Sequence, residues 1–548
     1  TSAGILDTIM ILLAVLEYQI TFVSVMSIEL FVLLCIFTVW LFRIKKEGLP
    51  TLLSLKSSLK RAVKIRINVN FFTFTVFLVI LLVVIEFFIF YSALITPVFT
   101  VWDALSLYAP YSKIIFLEKT VHWNEWVING PLPTFEWYPE LRNVIMFAVW
   151  GYTCNGSINE NFAKIISPVF SVMILLLMIQ FSKRIFKSTS VALSSAVILF
   201  YFSPDFVNRS QYFHVDIPFT FYWFCSTYVA YLFTLHKNWK YAILLGLLTG
   251  FTLLAKKVGI LFILFLATLY FREILRKRDE KFARRFIGNT KLFMIIIVAS
   301  AIIAGILYGK VWIVYGNPVY PLLWRFLDGR YIIPFIRETE SQIEYEYLSP
   351  LSSDWFFLQI SRLIRDSGFF FVIFCIIGAL LFIKNYGRSD VQLFLMQTLI
   401  FISAWYFSGY GPRQLLPLFP FLAIYTGTFF KFEAKMKVKI WKSSSISLNV
   451  PVKKLVLVSF LLFSTALSIV FDQAIWQSIT VHKYPWLNGF SNGLYLAAKG
   501  RNPSILYTFQ NFTKPMDVET FSRYNFAFSD LREAWNYLNF KTPPNSTV

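Results

Sequence analysis

The sequence predicts an all-α protein that crosses a membrane many times, and three observations support this prediction. Hydrophobic residues make up 57% of the 548 residues and charged residues only 15%, whereas a soluble domain is typically about half apolar and a quarter charged. Apolar runs close to the roughly 20 residues that a bilayer demands recur along the chain. The formal net charge is nevertheless +21, and most of the basic residues cluster between apolar runs. This composition excludes a disordered chain, a fibrous repeat and an ordinary cytosolic enzyme.

The order of apolar and basic segments predicts the topology. The first runs, between Ile5 and Phe42, make one or two N-terminal helices, and a basic stretch follows them. Phe71–Ile95 is the first of about eleven core helices of bilayer-spanning length. Alternating these helices across the membrane puts every basic loop on one side, which the positive-inside rule identifies as cytoplasmic. The long loops 97–150 and 316–367 then lie outside.

We therefore expect three parts of the chain. Residues 1–70 hold the N-terminal membrane segment or segments and a basic cytoplasmic loop. Residues 71–471 form the main transmembrane domain, with juxtamembrane amphipathic helices in its first outer loop. Residues 472–548 form a small extracytoplasmic C-terminal region.

Asp103 stands near the start of the first outer loop, at the head of a predicted short amphipathic helix along the membrane surface. One interpretation is a helix N-cap, a role that Asp fills well. The other is a partly desolvated carboxylate at the membrane face that acts as a general base. Tyr108 and Lys113 follow in the same segment and are candidates for orienting a sugar or a phosphate.

Four more charged residues map to the outer ends of other helices. Asp216 opens an inward helix, where it either caps the helix or binds a ligand. Lys256 and Lys257 oppose the charge bias of the outer face, so we expect them to meet an anion. Arg413 opens another inward helix, where it either snorkels to headgroups or grips a phosphate with its planar fork. Acid and cations at one face suit a phosphate-bearing lipid with chemistry at its head. His214 and Tyr320 are further candidates at this face.

The order of these pieces resembles the polytopic glycosyltransferases of the GT-C type, which use polyprenyl-phosphate sugars. This group includes the dolichyl-phosphate-mannose protein mannosyltransferases and the lipid A aminoarabinose transferases. The resemblance covers roughly Phe71 to Phe430 and rests on order and topology more than on any one motif. The motifs are Trp102-Asp103 followed by Tyr108, Tyr138-Pro139-Glu140-Leu141, Glu160-Asn161-Phe162-Ala163, Asp216-Ile217-Pro218, Gly246 through Gly250 to Lys256, and Pro412-Arg413-Gln414-Leu415-Leu416-Pro417. Ala104 follows Asp103 where the protein mannosyltransferases place a second acid, so the branch stays open.

The resemblance implies a GT-C fold, with residues 71–471 as the catalytic domain and Asp103 as the catalytic base. The expected reaction is inverting transfer of a sugar from a dolichyl- or undecaprenyl-type phosphate to a hydroxyl of a glycan, a lipid or a protein. Arg413, Lys256 and Lys257 would stabilise the departing phosphate. The remaining predicted substrate-binding residues are Asp216, Tyr108, Lys113, His214 and Tyr320.

Cofactor, location and rival classes follow from the same pattern. The chain has four His and no close cluster of His, Asp and Glu at ligand spacing, so no cofactor is predicted to be required, while a divalent metal is left open. We expect a multi-pass plasma membrane protein with an extracytoplasmic site, or an endoplasmic reticulum protein in a eukaryote. The rival class is a transporter or flippase of lipid-linked sugars, although no internal repeat is visible. A nucleic-acid partner is not expected, because the basic clusters are dispersed juxtamembrane loops.

Overall fold

The structure is a computed structural model. It describes residues 2–47, 69–95, 108–121, 143–275, 282–319, 353–367, 369–385, 387–408, 412–431, 438–439 and 445–446. Asp103, Tyr320 and the predicted C-terminal region 472–548 lie outside the described residues.

The described residues are almost entirely helical, which confirms the predicted all-α class. The α-helices are α1 Ser2–Val15, α2 Phe22–Glu47, α3 Val69–Ile95, α4 Ala109–Glu118, α5 Asn143–Asn155, α6 Glu160–Lys164, α7 Ile166–Phe186, α8 Thr189–Phe202, α9 Pro204–Gln211, α10 Asp216–His236, α11 Trp239–Ala255, α12 Leu261–Leu275, α13 Phe282–Tyr315, α14 Ser353–Ser367, α15 Phe369–Asn385, α16 Arg388–Ser408 and α17 Phe419–Lys431. Two 3₁₀ helices cover Lys257–Ile260 and Pro412–Leu418, and the two-residue strands β1 Val438–Lys439 and β2 Ser445–Ile446 pair antiparallel.

Several of these helices are long and apolar enough to cross a membrane, as the composition predicts. Within the described residues four segments meet this test, namely Phe74–Leu94, Phe162–Phe186, Lys257–Leu275 and Phe286–Val314. A fifth appears if α8 and α9, which meet at a bend of 78°, count as one broken span. The N-terminal run forms two helices, α1 and α2, and the prediction of one or two spans there stays a prediction.

Short polar residues start the helices where the apolar runs begin. Asn159 accepts a hydrogen bond from the backbone N–H of Phe162 and so caps α6, and Asn238 caps α11 in the same way through Tyr241. Ser188 caps α8 by accepting from Val191. These caps satisfy orphan N–H groups at the helix starts and so stabilise the boundaries of the helices.

Small residues bring α11 and α13 into close contact. A Cβ added to Gly246 would lie 2.6 Å from the Cβ of Ala299, and one added to Gly250 would lie 2.5 Å from the Cβ of Ile303. Small residues four positions apart let two membrane helices approach closely enough for backbone contact. Packing against α13 and α10 positions the end of α11, where the two predicted phosphate-binding lysines follow.

The start of α10, the end of α11, the helix α9 and the 3₁₀ helix Pro412–Leu418 meet at one end of the bundle. Beneath them the core of the bundle is aromatic. Trp223 is fully buried and lies 4.8 Å from Phe262 and 4.3 Å from Phe401, measured between ring centroids, in edge-to-face contacts. The polar side chains at this end therefore stand on a tightly packed base.

Candidate functional site

Asp216 is the centre of a buried cluster of charged side chains. The residue is 1% exposed and begins α10. Its Oδ1 accepts a hydrogen bond from Lys256 Nζ at 2.6 Å, and its Oδ2 lies 3.3 Å from Arg209 Nη1 and 3.0 Å from His214 Nδ1. Lys256, Arg209 and His214 thus converge on one carboxylate, and the backbone N–H of Asp216 donates to His214 Nδ1 at 3.3 Å. We call Asp205, Arg209, His214, Asp216, Lys256 and Gln414 the Asp216 cluster.

The local fold explains how Lys256 reaches Asp216. Helix α11 ends at Ala255, and Lys256 adopts an extended conformation with φ −160° and ψ 145°. The 3₁₀ helix that follows folds back onto α11, since a Cβ at Gly259 would lie 2.3 Å from the carbonyl oxygen of Thr252. Only glycine allows this approach, so Gly259 keeps the turn close to α11 and directs Lys256 toward α10.

Arg209 joins two carboxylates across the short helix α9. Its Nε donates to Asp205 Oδ1 at 2.8 Å, one helical turn away, while its Nη1 contacts Asp216. The planar guanidinium group presents several donors in a fixed arrangement, which suits this bridging role. Arg209 therefore holds α9 against the start of α10.

The ionisation of Asp216 follows from these contacts. Burial alone would raise the pKa of this carboxyl, but His214, Lys256 and Arg209 beside it outweigh burial and hold the pKa well below its usual range. Asp216 is therefore a carboxylate at neutral pH and stays paired. In this arrangement the carboxylate orients the side chains of Lys256 and Arg209.

Tyr108 connects the first predicted outer loop to the cluster. It is buried and precedes α4, and its ring lies 5.7 Å from the His214 ring and 6.3 Å from the Phe213 ring, both edge to face. The backbone carbonyl of His214 in turn accepts a hydrogen bond from Ser167 at 3.4 Å. Tyr108, five residues after Asp103 in the sequence, thus packs against His214.

The 3₁₀ helix Pro412–Leu418 closes another side of the cluster. Lys256 Nζ donates to Gln414 Oε1 at 3.4 Å, and Arg413 precedes Gln414 in the chain. Arg413 and Lys257 are both partly exposed. Arg209 and Lys256 pair with Asp205 and Asp216, and two further basic residues, Lys257 and Arg413, stand next to Lys256 and Gln414 in the sequence.

Lys113 is placed apart from the Asp216 cluster. It forms an ion pair with Glu160, which joins α4 to the start of α6. The buried Lys164 lies one turn further along α6. The structure therefore brings together Tyr108, His214, Asp216 and Lys256, with Lys257 and Arg413 adjacent in sequence to members of the cluster, and puts Lys113 in a separate ion pair.

Sequence reasoning missed Asp205, Arg209 and Gln414. A signal for Arg209 was present, because Asp205 and Arg209 are four residues apart, a spacing at which opposite charges pair on a helix. Gln414 carried no such signal, since its role depends on the meeting of the 3₁₀ helix with the end of α11. No group of three or more His, Cys, Asp or Glu side chains within the described ranges is arranged to hold a metal ion.

The central part of the chain matches a known family. Residues 144–308 match the family model described as dolichyl-phosphate-mannose-protein mannosyltransferase. This stretch runs from α5 into α13 and includes Asp205, Arg209, His214, Asp216 and Lys256. The match confirms the resemblance to the GT-C glycosyltransferases that the motifs indicated. A comparison with curated proteins finds no match.

Two solved structures are distantly similar to the chain. ArnT from Cupriavidus metallidurans bound to undecaprenyl phosphate is similar at 17% identity with a TM-score of 0.44, covering 64% of this chain and 59% of that one. The oligosaccharyltransferase AglB from Archaeoglobus fulgidus, in complex with an inhibitory peptide and a dolichol-phosphate, is similar at 12% identity with a TM-score of 0.39, covering 79% of this chain and 55% of that one. The chain thus spans less than two thirds of the length of either protein.

Proposed function

We propose that the chain is an inverting glycosyltransferase. It moves a sugar from a polyprenyl-phosphate donor, of the dolichyl or undecaprenyl type, to a hydroxyl of a glycan, lipid or protein acceptor at the outer face of the membrane. The observation that carries this proposal is the Asp216 cluster, which fixes Lys256, the sequence neighbour of Lys257, against Gln414, the sequence neighbour of Arg413, at one end of an apolar helix bundle. The family match over residues 144–308, whose description names a lipid-phosphate sugar, supports it.

The cations fit a leaving phosphate. Lys256 is held by Asp216 and Gln414, so its ammonium group does not have to reorganise when negative charge develops nearby. Arg413 adds a guanidinium group, which binds a phosphate through two parallel hydrogen bonds. Preorganised charge of this kind lowers the energy of a transition state in which negative charge grows on the departing group.

Asp103 is the proposed general base. It precedes Tyr108 by five residues, a stretch of chain that spans at most about 18 Å, and Tyr108 packs against His214 of the cluster. This connection keeps Asp103 within reach of the same end of the bundle. A carboxylate in this position takes the proton of an acceptor hydroxyl as the oxygen attacks.

The reaction is a single displacement. The acceptor oxygen forms a bond to the anomeric carbon while the bond from that carbon to the phosphate oxygen breaks. The electron pair leaves with the lipid phosphate, which Lys256, Lys257 and Arg413 stabilise, and the acceptor proton moves to Asp103. Attack from the side opposite the phosphate inverts the configuration of the anomeric carbon.

The proposed enzyme keeps the three parts of the chain that the sequence predicts. Residues 71–471 form the catalytic domain, with residues 1–70 as an N-terminal membrane segment and residues 472–548 as an extracytoplasmic region. The site faces the extracytoplasmic side in this arrangement, because the basic loops at the opposite ends of the helices are cytoplasmic.

The test is release of lipid phosphate by the purified full chain. Polyprenyl-phosphate sugars carrying mannose, glucose, galactose or aminoarabinose are mixed with candidate acceptors, and the polyprenyl phosphate formed is measured. Asp103→Asn is expected to lower the rate by about 10²–10⁴-fold while leaving donor binding unchanged. The matched control is Glu17→Gln, which likewise replaces a carboxylate by an amide, at an exposed residue paired with Lys310. This variant should keep the wild-type rate.

The outcomes separate the two classes of function. Transfer that persists in Asp103→Asn would remove Asp103 from the base role. Movement of labelled donor across reconstituted vesicles, with no lipid phosphate released by the wild-type chain, would instead establish a transporter of lipid-linked sugars.

A further inference from the structure

Helix α14 exposes two aromatic residues and buries a glutamine. Its residues Phe356 and Phe357 are 49% and 67% exposed, whereas Gln359 is 0% exposed. Leu363, one turn after Gln359, packs against the hydrophobic core, and Ser367, a further turn on, is fully buried. Exposed aromatic residues suit a lipid-facing surface, but a fully buried glutamine is uncommon in a helix docked only for stability.

Burial of the Gln359 side chain is unfavourable in free energy. Neither its Nε2 nor its Oε1 has a hydrogen-bond partner among the described residues. Burying an amide without a partner is unfavourable, and an apolar side chain of the same shape would avoid this. A water or a bound ligand supplies the missing partner of such a group in a folded protein.

The surroundings of α14 indicate what that partner is. This helix packs against α9, which carries Arg209, and against the 3₁₀ helix Pro412–Leu418, which carries Arg413 and Gln414. The buried face of α14 thus meets two of the elements that build the cationic end of the bundle. Gln211, the last residue of α9, also buries an Nε2 that has no partner among the described residues.

The chemistry of a carboxamide fits a sugar next to a phosphate. The group offers two N–H donors and a carbonyl acceptor in one plane, so it can donate to one hydroxyl and accept from its neighbour. A sugar linked to a lipid phosphate carries its nearest hydroxyl on C2, next to the anomeric carbon that bears the phosphate. A free phosphate offers no donor for Oε1 when it is fully ionised, so a phosphate alone would leave that atom unpartnered.

We propose that Gln359 is a specificity-determining residue that binds hydroxyl groups of the sugar on the lipid-phosphate donor, with Gln211 as a second contact. This inference rests on the proposed function, because it names the part of the same site that reads the sugar. Under this proposal α14 binds the sugar, whereas Lys256, Lys257 and Arg413 bind the phosphate.

The test compares two ligands that differ only in the sugar. Dissociation constants are measured for the full chain in lipid nanodiscs, first with polyprenyl phosphate alone and then with the same lipid bearing mannose, glucose, galactose or aminoarabinose. For the sugar that the wild-type chain binds most tightly, Gln359→Met is expected to weaken binding about tenfold, as loss of two hydrogen bonds predicts. Binding of polyprenyl phosphate alone should change less than about twofold, because the phosphate contacts remain.

The matched control is Gln180→Met. Gln180 is exposed and lies on α7, well over a helical turn from the cluster end of that helix, so the same change should alter neither dissociation constant. The melting temperature of Gln359→Met should not fall, because the change removes an unpartnered amide from the interior.

Each outcome decides the inference. Equal weakening of both ligands in Gln359→Met, or weakening of neither, would overturn the assignment while leaving the phosphate site and the proposed function standing. A wild-type chain that binds none of these lipids would overturn the proposed function, and this inference with it.

Discussion

Lys256 Nζ lies 2.6 Å from Asp216 Oδ1, although the two residues are 40 positions apart in the chain. The ion pair joins the end of α11 to the start of α10, and both side chains are buried. Taking two charges out of water is costly, so such a pair adds little net stability compared with apolar residues. In the proposed function the pair has a different use, which is to hold the Lys256 ammonium group in place for binding a phosphate.

The first prediction separates the structural role of Lys256 from its role in binding. Lys256→Met leaves Asp216 buried with only Arg209 and His214, and is expected to lower the free energy of unfolding by about 3 kcal/mol, the lower end for breaking a buried pair. Adding Asp216→Asn should restore most of that stability, because the uncompensated charge is gone. Binding of polyprenyl phosphate should stay weak in the double variant, because the cation is still missing. Thermal unfolding in detergent and ligand titration measure the two effects, and recovery of binding in the double variant would contradict the phosphate role.

The second prediction concerns Arg413. Arg413→Ala is expected to weaken binding of polyprenyl phosphate about 10- to 100-fold, the range for losing a hydrogen bond to a charged group. Arg413→Lys should recover only part of the affinity, because an ammonium group cannot form the two parallel hydrogen bonds of a guanidinium group. The control is Arg184→Ala, because Arg184 is exposed and lies at the end of α7 that is away from the Asp216 cluster. An unchanged dissociation constant in Arg413→Ala would show that this residue contacts headgroups instead.

The third prediction is a pH dependence of stability. Because the pKa of Asp216 lies well below its usual range in the folded chain, the unfolded chain, with a pKa near ~3.9, binds the proton first as the pH falls. The stability that Asp216 contributes is thus present at neutral pH and is lost as the pH drops below about 5. The melting temperature of the wild-type chain should therefore fall more steeply between about pH 6 and pH 3 than that of Asp216→Asn. Parallel curves for the two proteins would mean that the Asp216 carboxylate is not stabilised by its neighbours.

The fourth prediction concerns the packing that positions Lys256. Gly250→Ala would put a methyl group 2.5 Å from the Cβ of Ile303, so α11 and α13 must separate, at a cost of about 1–3 kcal/mol. Gly309→Ala on α13 is the matched control, since nothing lies within 4 Å of its added Cβ and alanine favours the helix. The melting temperature should fall in the first variant and hold or rise in the second. Equal melting temperatures would show that α11 and α13 do not depend on this contact.

Local patterns account for what could be read from the sequence. The apolar runs, their caps and the basic loops depend on residues close in the chain, so α3, at Val69–Ile95, begins and ends near the predicted Phe71–Ile95. The same patterns put Asp216 and Lys256 at helix ends on one side. They could not show that the two side chains pair, because pairing depends on which helices are neighbours.

The sequence by itself determined that this is a multi-pass helical membrane protein and which of its charges stand at helix ends, because hydropathy and charge act locally. The tertiary structure alone decided the partners of those charges. It joined Arg209 and Lys256 to Asp216, gave Lys113 to Glu160 and buried Gln359 on α14. Each of these contacts links residues on different helices, and close packing such as that of Gly246 and Gly250 against α13 sets which helices meet.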